Sequence, residues 1–350
     1  MIPLPARFRD ALATFAVSMV LAVPAVADPV EDFYKGKSVT MIVGYTPGGT
    51  YDIWARMVAR SLGNHIPGKP QVVVQNMPGA GSMTASNHIY NVAPQDGTVM
   101  GLMSATNPVA PLLGIDQAKF DAKKFTWLGT PTVDTAVVMV WNTAPVNTIQ
   151  DVMKTEVMLG STSPNGTSSF YARIFNDVLK TKFKLVYGYP GMNETFMAIE
   201  RGEVMGHSSP FWSFMKSAKA DWVRDKKVKF LLQYGPKPNR DLPDVPFARD
   251  LIKNESDLKL FDAAMAPLYV GYPFLAGPGV PPDRATALRK AFEETFKDPE
   301  FVAEAKKLNL DLDPQNGAYI EKVIKDAYDT PPATIERMRK LYEGDEAMAK

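Results

Sequence analysis

The chain has 350 residues, a formal net charge of +1, 45% hydrophobic residues and no cysteine. Its charges form neither a basic tract nor an acidic tail, which argues against nucleic acid and against an anionic membrane surface as partners. Without cysteine there is no disulfide framework, so packing must supply the stability, and the chain is long enough for two lobes with sizeable cores.

The N-terminus has the pattern of a secretory signal peptide. Two arginines precede an apolar run from Ala11 to Val23, and Ala25-Val-Ala27 follows as a small-residue cleavage site. This run is shorter than the ~20 residues that a membrane-spanning helix needs. We therefore predict a signal peptide over residues 1–27, cleavage after Ala27 and a periplasmic mature protein.

The first predicted strand, Ser38 to Val43, leads through a glycine turn into a helix. The first amide groups of a helix have no partner inside it, and the peptide dipoles place roughly half a positive charge there. A second loop rich in serine and threonine, Gly160 to Phe170, also lies between a strand and a helix. These patterns predict that a carboxylate is held between two helix starts. A tight strand-to-helix turn without a ligand is the alternative interpretation of the first loop.

The remaining elements alternate between strands and helices, which predicts mainly parallel sheets with helices on both faces. Further strands are predicted at 71–76, 98–104, 125–129, 136–141, 157–159, 183–188, 204–208 and 228–234. Helices are predicted near 82–90, 148–154, 170–180 and 194–200. A proline-rich connector follows, then a strand at 268–276 that returns to the first lobe, and amphipathic helices at 282–297, 299–307 and 319–343.

This order predicts an α/β fold of two lobes joined by crossing strands, with a ligand cleft between them. We expect residues 28–124 and 236–350 to form lobe 1, which the C-terminal helices complete. Residues 125–235 then form lobe 2.

Motifs for catalysis and cofactors are weak. The three histidines are far apart in sequence and lack the spacing of a metal site. Gly63 to Lys69 has the spacing of a phosphate loop, but Pro70 stands where serine or threonine must reach magnesium. Gly79 to Thr84 lacks the third glycine of a dinucleotide fingerprint, and no Gly-x-Ser-x-Gly occurs. We expect no catalytic residues, no metal and no cofactor.

Short motifs occur in a fixed order over nearly the whole mature chain. They are Pro47-Gly48-Gly49-Thr-Tyr-Asp52 with Ala55-Arg56, Val74-Gln-Asn76-Met-Pro78-Gly79-Ala80-Gly81, Ala93 to Thr98, the loop at 160–168, Arg201 to Val204, Leu242 to Pro246, and Ala276 to Pro281. In this set and order, the chain resembles the periplasmic solute-binding receptors of tripartite tricarboxylate transporters.

The resemblance implies a type II-like periplasmic binding protein fold, in which two lobes close like a Venus flytrap on a ligand without catalysis. It also implies a small organic carboxylate as the ligand and integral membrane transporter subunits as partners. We expect a monomer that binds no nucleic acid. Carried onto this chain, the ligand-binding positions are Tyr45, Thr46, Pro47, Gly48, Gly49 and Asp52 in the first loop, and Ser161, Thr162, Asn165, Gly166, Thr167 and Ser168 in the second. Asp52 could instead only favour the helix dipole.

The chain departs from the family pattern mainly at tyrosines. The segment Tyr187 to Asn193 replaces a family segment that contains a lysine, and Tyr51 replaces a small residue. If Tyr45, Tyr51 and Tyr189 face the cleft, an aromatic or partly apolar acid is favoured over a compact, highly charged one. Tyr189 is therefore a further candidate ligand contact. The alternative interpretation is that these rings pack at the rim.

The function expected from these observations is capture of a di- or tricarboxylate, or of an aromatic acid, for delivery to a tripartite tricarboxylate transporter. An exported hydrolase or isomerase acting on small organic acids is the alternative. It would need a general base, for which Asp52, Glu194 and His207 are the candidates. A receptor of another transporter class, for amino acids or sugars, would predict a pocket arginine or several stacking aromatic residues.

Overall fold

The computed structural model describes residues 28–161, 164, 166–189 and 191–344. The predicted signal peptide and its cleavage site lie outside these residues, as do Thr162 and Asn165 of the second loop. No helix in the described part of the chain combines the length and the apolar character needed to cross a bilayer.

Strands and helices alternate along the chain. The strands are β1 Ser38–Val43, β2 Gln71–Asn76, β3 Val99–Leu102, β4 Thr126–Thr130, β5 Ala136–Trp141, β6 Val157–Gly160, β7 Phe183–Val186, β8 Gly206–His207, β9 Val228–Tyr234, β10 Phe274–Ala276 and β11 Gln315–Asn316. The helices are α1 Pro29–Tyr34, α2 Thr50–His65, α3 Met83–Asn91, α4 Ile149–Val152, α5 Thr167–Val178, α6 Met192–Glu200, α7 Trp212–Ser217, α8 Ala220–Arg224, α9 Ala248–Leu251, α10 Glu255–Val270, α11 Pro282–Thr295, α12 Pro299–Lys307, α13 Gly317–Tyr328 and α14 Pro332–Glu343. Short 3₁₀ turns occupy Ala80–Ser82, Asn107–Val109 and Ala122–Lys124.

The strands form two sheets with matching topology. The first has the order β11-β4-β10-β3-β1-β2 and the second the order β7-β6-β8-β5-β9. In the first sheet β1 pairs in parallel with β2 and β3, whereas β10 is antiparallel to β3 and β4. In the second, β6 pairs in parallel with β7 and β8, whereas β5 is antiparallel to β8 and β9. In each sheet the first strand after the chain crosses over from the other sheet, β10 or β5, is antiparallel to both of its neighbours. In the first sheet β11 is also antiparallel to its neighbour β4. This confirms the predicted α/β fold; both sheets are mixed, with parallel pairs around β1 and β6 and antiparallel pairs around β10 and β5.

Each sheet is covered by helices on both faces because its strands alternate apolar side chains between them. Met41 and Val43 of β1 lie in a core with α2 and α11, whereas Ile42 lies in a core with α3 and α13. In the second sheet, one face of β5 packs against α5 and α10, and the other packs against α6 and α7.

The sheets divide the chain differently from the lobe boundaries expected from sequence. β4 falls within 125–235 but belongs to the first sheet, because it pairs with β10 and β11. α10 and α14 fall within 236–350, yet their buried Phe261 and Met338 share a core with Phe175 of α5. Which parts move together as lobes stays a prediction.

Two predicted elements are wrong in part. The strand expected at 268–276 begins only at Phe274, because α10 continues to Val270 and ends at Gly271, whose φ is +60°. As predicted, this strand returns to the first sheet. The single helix expected at 319–343 is two helices, α13 and α14. They are separated at Pro331-Pro332, where proline cannot donate to the helical ladder and disfavours a helical residue before it.

The loops predicted to bind ligand follow β1 and β6, each of which is the middle one of three parallel strands in its sheet. β2, the next strand in the chain, lies on one side of β1, and β3 lies on its other side. In the second sheet, β7 and β8 lie on the two sides of β6 in the same way. In open α/β sheets, ligands bind at the carboxyl ends of the strands where the order reverses in this way. The topology therefore brings both predicted loops to positions suited to a ligand.

Candidate functional site

Asp52, in the first turn of α2, is hydrogen-bonded to the first loop, Gly44 to Gly49. Its Oδ2 accepts hydrogen bonds from the Gly48 amide and from Nε of Arg56, both at 2.9 Å, and its Oδ1 accepts one from Nδ2 of Asn76 at 2.8 Å. The residue is only 3% exposed. The hydrogen bond from Arg56 is the main reason that the pKa of Asp52 falls to about 2. Asp52 is therefore an ionised acceptor whose oxygens bond to the chain itself.

Asn76, at the carboxyl end of β2, joins this loop to the neighbouring strand. Its Nδ2 also donates to the backbone oxygen of Tyr45 at 2.9 Å, and its Oδ1 accepts from Nη2 of Arg56 at 2.9 Å. Asn76 lies in one of the ordered motifs of the sequence, but the local pattern predicts no role for it. The contact depends on the parallel pairing of β1 with β2, which local sequence does not reveal.

The exposed part of the first loop consists of Thr46, Pro47, Gly48 and Gly49. Gly49 is the N-cap of α2 and is extended, with φ −80° and ψ 169°, so no side chain caps this helix start. A Cβ added at Gly49 would meet no atom within 4 Å. The first turn of α2 therefore presents amide groups beside open space.

Tyr45 and Tyr51 form a wall behind this loop. Their rings stack with centroids 4.4 Å apart, and Tyr51 meets the ring of Tyr272 edge-on at 4.9 Å. The Tyr51 hydroxyl accepts a hydrogen bond from the Ala105 amide at 3.2 Å, just after β3. Burial raises the pKa of both tyrosines, so both hydroxyls stay protonated. Tyr51 thus packs against the first-sheet core.

The second loop is braced from inside by serines. Ser161 is 0% exposed, and its Oγ lies 2.7 Å from Oγ of Ser168 and 2.6 Å from Oγ of Ser169. Ser208 Oγ donates to the backbone oxygen of Ser168 at 2.6 Å. Ser161 and Ser168, both predicted ligand contacts, therefore bond within the protein. Ser169 and Ser208, for which the sequence predicts no role, take part in the same network.

The start of α5 resembles that of α2. Gly166 is its N-cap, with φ −71° and ψ 154°, and as a glycine it has no side chain to cap the helix. Gly166 is half-buried and Thr167 is exposed. The first turn of α5 is thus a second glycine-capped helix start that follows a parallel strand.

Arg173 connects the second loop to the C-terminal helix. Its guanidinium donates to the backbone oxygens of Pro164 and Leu341, the latter at 2.8 Å, and reaches the Tyr187 hydroxyl at 3.4 Å. The sequence predicts no role for Arg173, because α14 was expected to complete the first lobe. No local pattern marks a contact between residues so far apart in the chain.

Tyr189 lies against the end of β6. A Cβ added at Gly160 would lie 3.2 Å from Cε2 of its ring, and the ring is half-buried against the core on the α6 side of the second sheet. Tyr189 therefore packs against its own sheet. Gly191, two residues later, is the N-cap of α6, so α6 also begins at a glycine, as α2 and α5 do.

Two of the three general bases considered for a hydrolase, His207 and Asp52, are poorly suited to that role. His207 is 5% exposed, its Nδ1 accepts from the Ser209 amide at 3.2 Å, and burial lowers its pKa to about 4. Asp52 has a lowered pKa and three hydrogen bonds, as described above. Within the described residues, no three histidine, aspartate or glutamate side chains are grouped so that they could hold a metal ion.

A cavity of about 240 Å³ lies between residues that follow β2 and β3 of the first sheet and residues that follow β6 of the second sheet. Gly166 and Thr167 line one side, and Met83 and Thr106 line another. Thr106 directly follows Ala105, the residue that hydrogen-bonds to Tyr51. The remaining lining residues are Asn107, Val109, Ala110, Leu113, Ile115, Phe170, Tyr171, Ala263, Ala264, Pro267, Met338 and Tyr342. Of the predicted site residues within the described chain, Gly166 and Thr167 alone line it.

A wider groove of about 550 Å³ lies elsewhere, between α7 and α12. Lys216 of α7 and Asp311, both in its lining, form an ion pair at 3.0 Å. Its lining includes none of the predicted site residues that the structure describes. It is therefore a less suitable ligand site than the smaller cavity.

Comparison with known proteins identifies a family. The model of the family described as "Tripartite tricarboxylate transporter family receptor" matches residues 54–339. A UPF0065 protein of Cupriavidus necator is 26% identical over 253 residues, which are 70% of this chain and 73% of that protein.

Solved structures share the fold. A TctC solute-binding protein from Polaromonas, determined without ligand, has a TM-score of 0.68 at 17% identity, covering 87% of this chain and 99% of that one. R. palustris Rpa4515, determined with adipate, has a TM-score of 0.59 at 17% identity, covering 88% of this chain and 97% of that one.

Proposed function

Because the chain belongs to the receptor family of tripartite tricarboxylate transporters, we propose that it captures a small organic carboxylate and delivers it to the integral membrane subunits of such a transporter. Membership makes the chain a periplasmic solute-binding protein and a receptor rather than an enzyme. The ligand class, the partner transporter, a monomeric state and cleavage after Ala27 belong to the proposal.

One observation carries the ligand class. The helices after β1 and β6, α2 and α5, both begin at a glycine N-cap, which has no side chain to bond to their first amides. Asn254 caps α10 and Asn316 caps α13 with their own side chains, whereas α3, α6, α11 and α14 also begin at a residue that makes no such cap. The position directly after β1 and β6 is what distinguishes α2 and α5. Uncapped first-turn amides with the positive end of a helix dipole suit an anion. We propose that one carboxylate ligand bonds to both helix starts.

Capture would then work by closure of the cleft. A ligand shifts a protein toward its closed form only as far as it binds that form more tightly, and near-complete reversal takes about 5 kcal/mol. Five or more amide and hydroxyl contacts at about 1 kcal/mol each are sufficient for this. Closure also excludes water, which strengthens charge-assisted hydrogen bonds.

Differential scanning fluorimetry of the mature protein tests the ligand class. Aliphatic and aromatic mono-, di- and tricarboxylates are compared with their neutral amides, for example adipate with adipamide. We expect a carboxylate to raise the melting temperature in proportion to the logarithm of its concentration, because it binds the folded state alone, while its amide has no effect. Equal shifts from an acid and its amide would argue against recognition of the charge.

Incubation of each stabilising acid with the purified protein, followed by chromatography, separates the receptor from the hydrolase or isomerase hypothesis. A receptor returns the acid unchanged. Turnover would favour the enzyme.

A further inference from the structure

We propose that the cavity of about 240 Å³ beside the start of α5 receives the body of the ligand, and that the ligand is therefore an aromatic monocarboxylate with an uncharged polar group at its far end. This inference rests on the proposed function, because it takes the carboxylate to bond to the first turn of α5.

The position of the cavity supports this assignment. Gly166 and Thr167, at the uncapped start of α5, line it, so a carboxylate bonded there would direct the rest of its molecule into the cavity. Thr106 and Met83 close it from the side of the first sheet, and α10 and α14 form its floor. The cavity is thus continuous with one of the two proposed anion contacts.

The lining excludes a second charge. None of the described lining residues carries a charged side chain, and apolar side chains such as Val109, Leu113 and Phe170 predominate. Asn107 is buried and already donates to Ser86 Oγ at 2.8 Å. A second carboxylate placed here would lose its water without gaining a cation, which is strongly unfavourable. An apolar ring gains from the same environment.

Tyr171 provides an independent indication of a ligand. Its side chain lines the cavity and is 1% exposed, and its hydroxyl takes part in no hydrogen bond among the described residues. Buried hydroxyls normally have a partner. Tyr171 lies four residues after Thr167, so the two residues are on the same side of α5. A hydroxyl at the para position of a benzoate ring would give the Tyr171 hydroxyl a hydrogen-bond partner.

The test uses three acids that differ only at the para position: benzoate, 4-hydroxybenzoate and terephthalate. Isothermal titration calorimetry with the mature protein should rank 4-hydroxybenzoate tightest and terephthalate at least tenfold weaker than benzoate. Binding of the ring acids should also show a negative heat-capacity change, because apolar surface is buried. Tighter binding of terephthalate than of benzoate would overturn the inference.

Two variants locate the binding. Y171F should lower the affinity for 4-hydroxybenzoate several-fold, to the level of benzoate, and leave benzoate within twofold. Y234F is the matched control: Tyr234 packs on Tyr171 with ring centroids 5.3 Å apart, but its hydroxyl donates to the Ser208 backbone oxygen and lies outside the cavity lining. Y234F should leave the ratio of the two affinities unchanged. An unchanged ratio in Y171F would refute the role of its hydroxyl.

A third variant, A264L, fills the cavity from α10 and should abolish binding of all three ring acids. Its melting temperature without ligand shows whether it folds, and Y171F, which conserves the ring, provides the test if it does not. Adipate and malate distinguish failure of this inference from failure of the proposed function. If these dicarboxylates bind and the ring monocarboxylates do not, the inference alone is wrong. If no acid binds, the proposed function fails as well.

Discussion

The Asp52 carboxylate and the Gly48 amide are joined by a hydrogen bond of 2.9 Å, so the acid in the first turn of α2 closes the loop that precedes its own helix. Gly48 has a φ of +90°, a conformation that suits glycine. Asp52 therefore acts from beneath the loop, which supports a positioning role rather than the direct ligand contact that the resemblance implied.

Replacing Asp52 by asparagine should destabilise the protein and weaken ligand binding. The amide has a single oxygen acceptor in place of the two carboxylate oxygens that bond to Gly48, Arg56 and Asn76. We expect a loss of about 1–3 kcal/mol in the free energy of unfolding, as for other buried hydrogen bonds to a charged group. Urea denaturation and ligand titration measure the two effects. Unchanged stability would contradict the bracing role.

The two glycines of the first loop should respond differently to substitution. Gly48→Ala places a Cβ at a φ of +90° and should cost about 1 kcal/mol or more of stability. Gly49→Ala meets open space at a φ of −80° and should leave stability nearly unchanged.

Gly49→Val keeps the same permitted backbone but puts a branched side chain over the start of α2. We expect it to fold and to bind the ligand more weakly than Gly49→Ala does. Melting temperature and affinity, measured on the three variants together, separate the fold from the site. Parental affinity in Gly49→Val would mean that the start of α2 is not a ligand contact.

Ser161 and Thr167 of the second loop should also respond differently to replacement by alanine. Ser161→Ala removes a fully buried hydroxyl that bonds to Ser168 and Ser169, and we expect it to cost about 1–2 kcal/mol of stability and to weaken binding. Thr167→Ala removes an exposed side chain at the start of α5 and should change affinity alone. Denaturation curves and titrations of both variants test this contrast, which fails if Thr167→Ala is the less stable of the two.

Asp134, between β4 and β5, should make stability depend on pH. Burial is the main cause that raises its pKa from 3.8 to about 6, against hydrogen bonds from Ser213 Oγ and from the Thr135 amide. Between pH 4 and 6 the folded state keeps the Asp134 proton, whereas the unfolded state has released it. The stabilisation from the protonated Asp134 is therefore complete below pH 4 and is lost as the pH rises through 6.

Asp134→Asn should remove this contribution to the pH dependence. We expect the difference in free energy of unfolding between variant and parent to shift in favour of the variant as pH rises from 4 to 7. Urea denaturation across this range measures the difference. A constant difference would contradict a raised pKa.

Local sequence patterns predicted much of the fold. The bounds of β1, β2, β5, β9 and α12 are confirmed to the residue, because apolar runs between turn residues define them. The run from Leu268 was wrong as a strand because it continues the buried face of α10, and periodicity alone does not distinguish a short buried strand from a helix.

The candidate site was only partly predictable. The glycine and serine loops are visible in sequence because turn residues mark them, and the resemblance named their positions. The contact of Arg173 with Leu341, the role of Asn76 between two strands and the cavity around Tyr171 arise from long-range packing. Such contacts leave no signal in the segments that make them.

The glycine N-caps of α2 and α5 have a consequence for the environment in which a receptor operates. Main-chain amides do not titrate, so a binding surface composed of them keeps its polarity in acid and in alkali. The pH dependence of the affinity should therefore reflect the ionisation of the ligand itself. The affinity should stay constant at every pH at which the ligand is an anion and the receptor is folded.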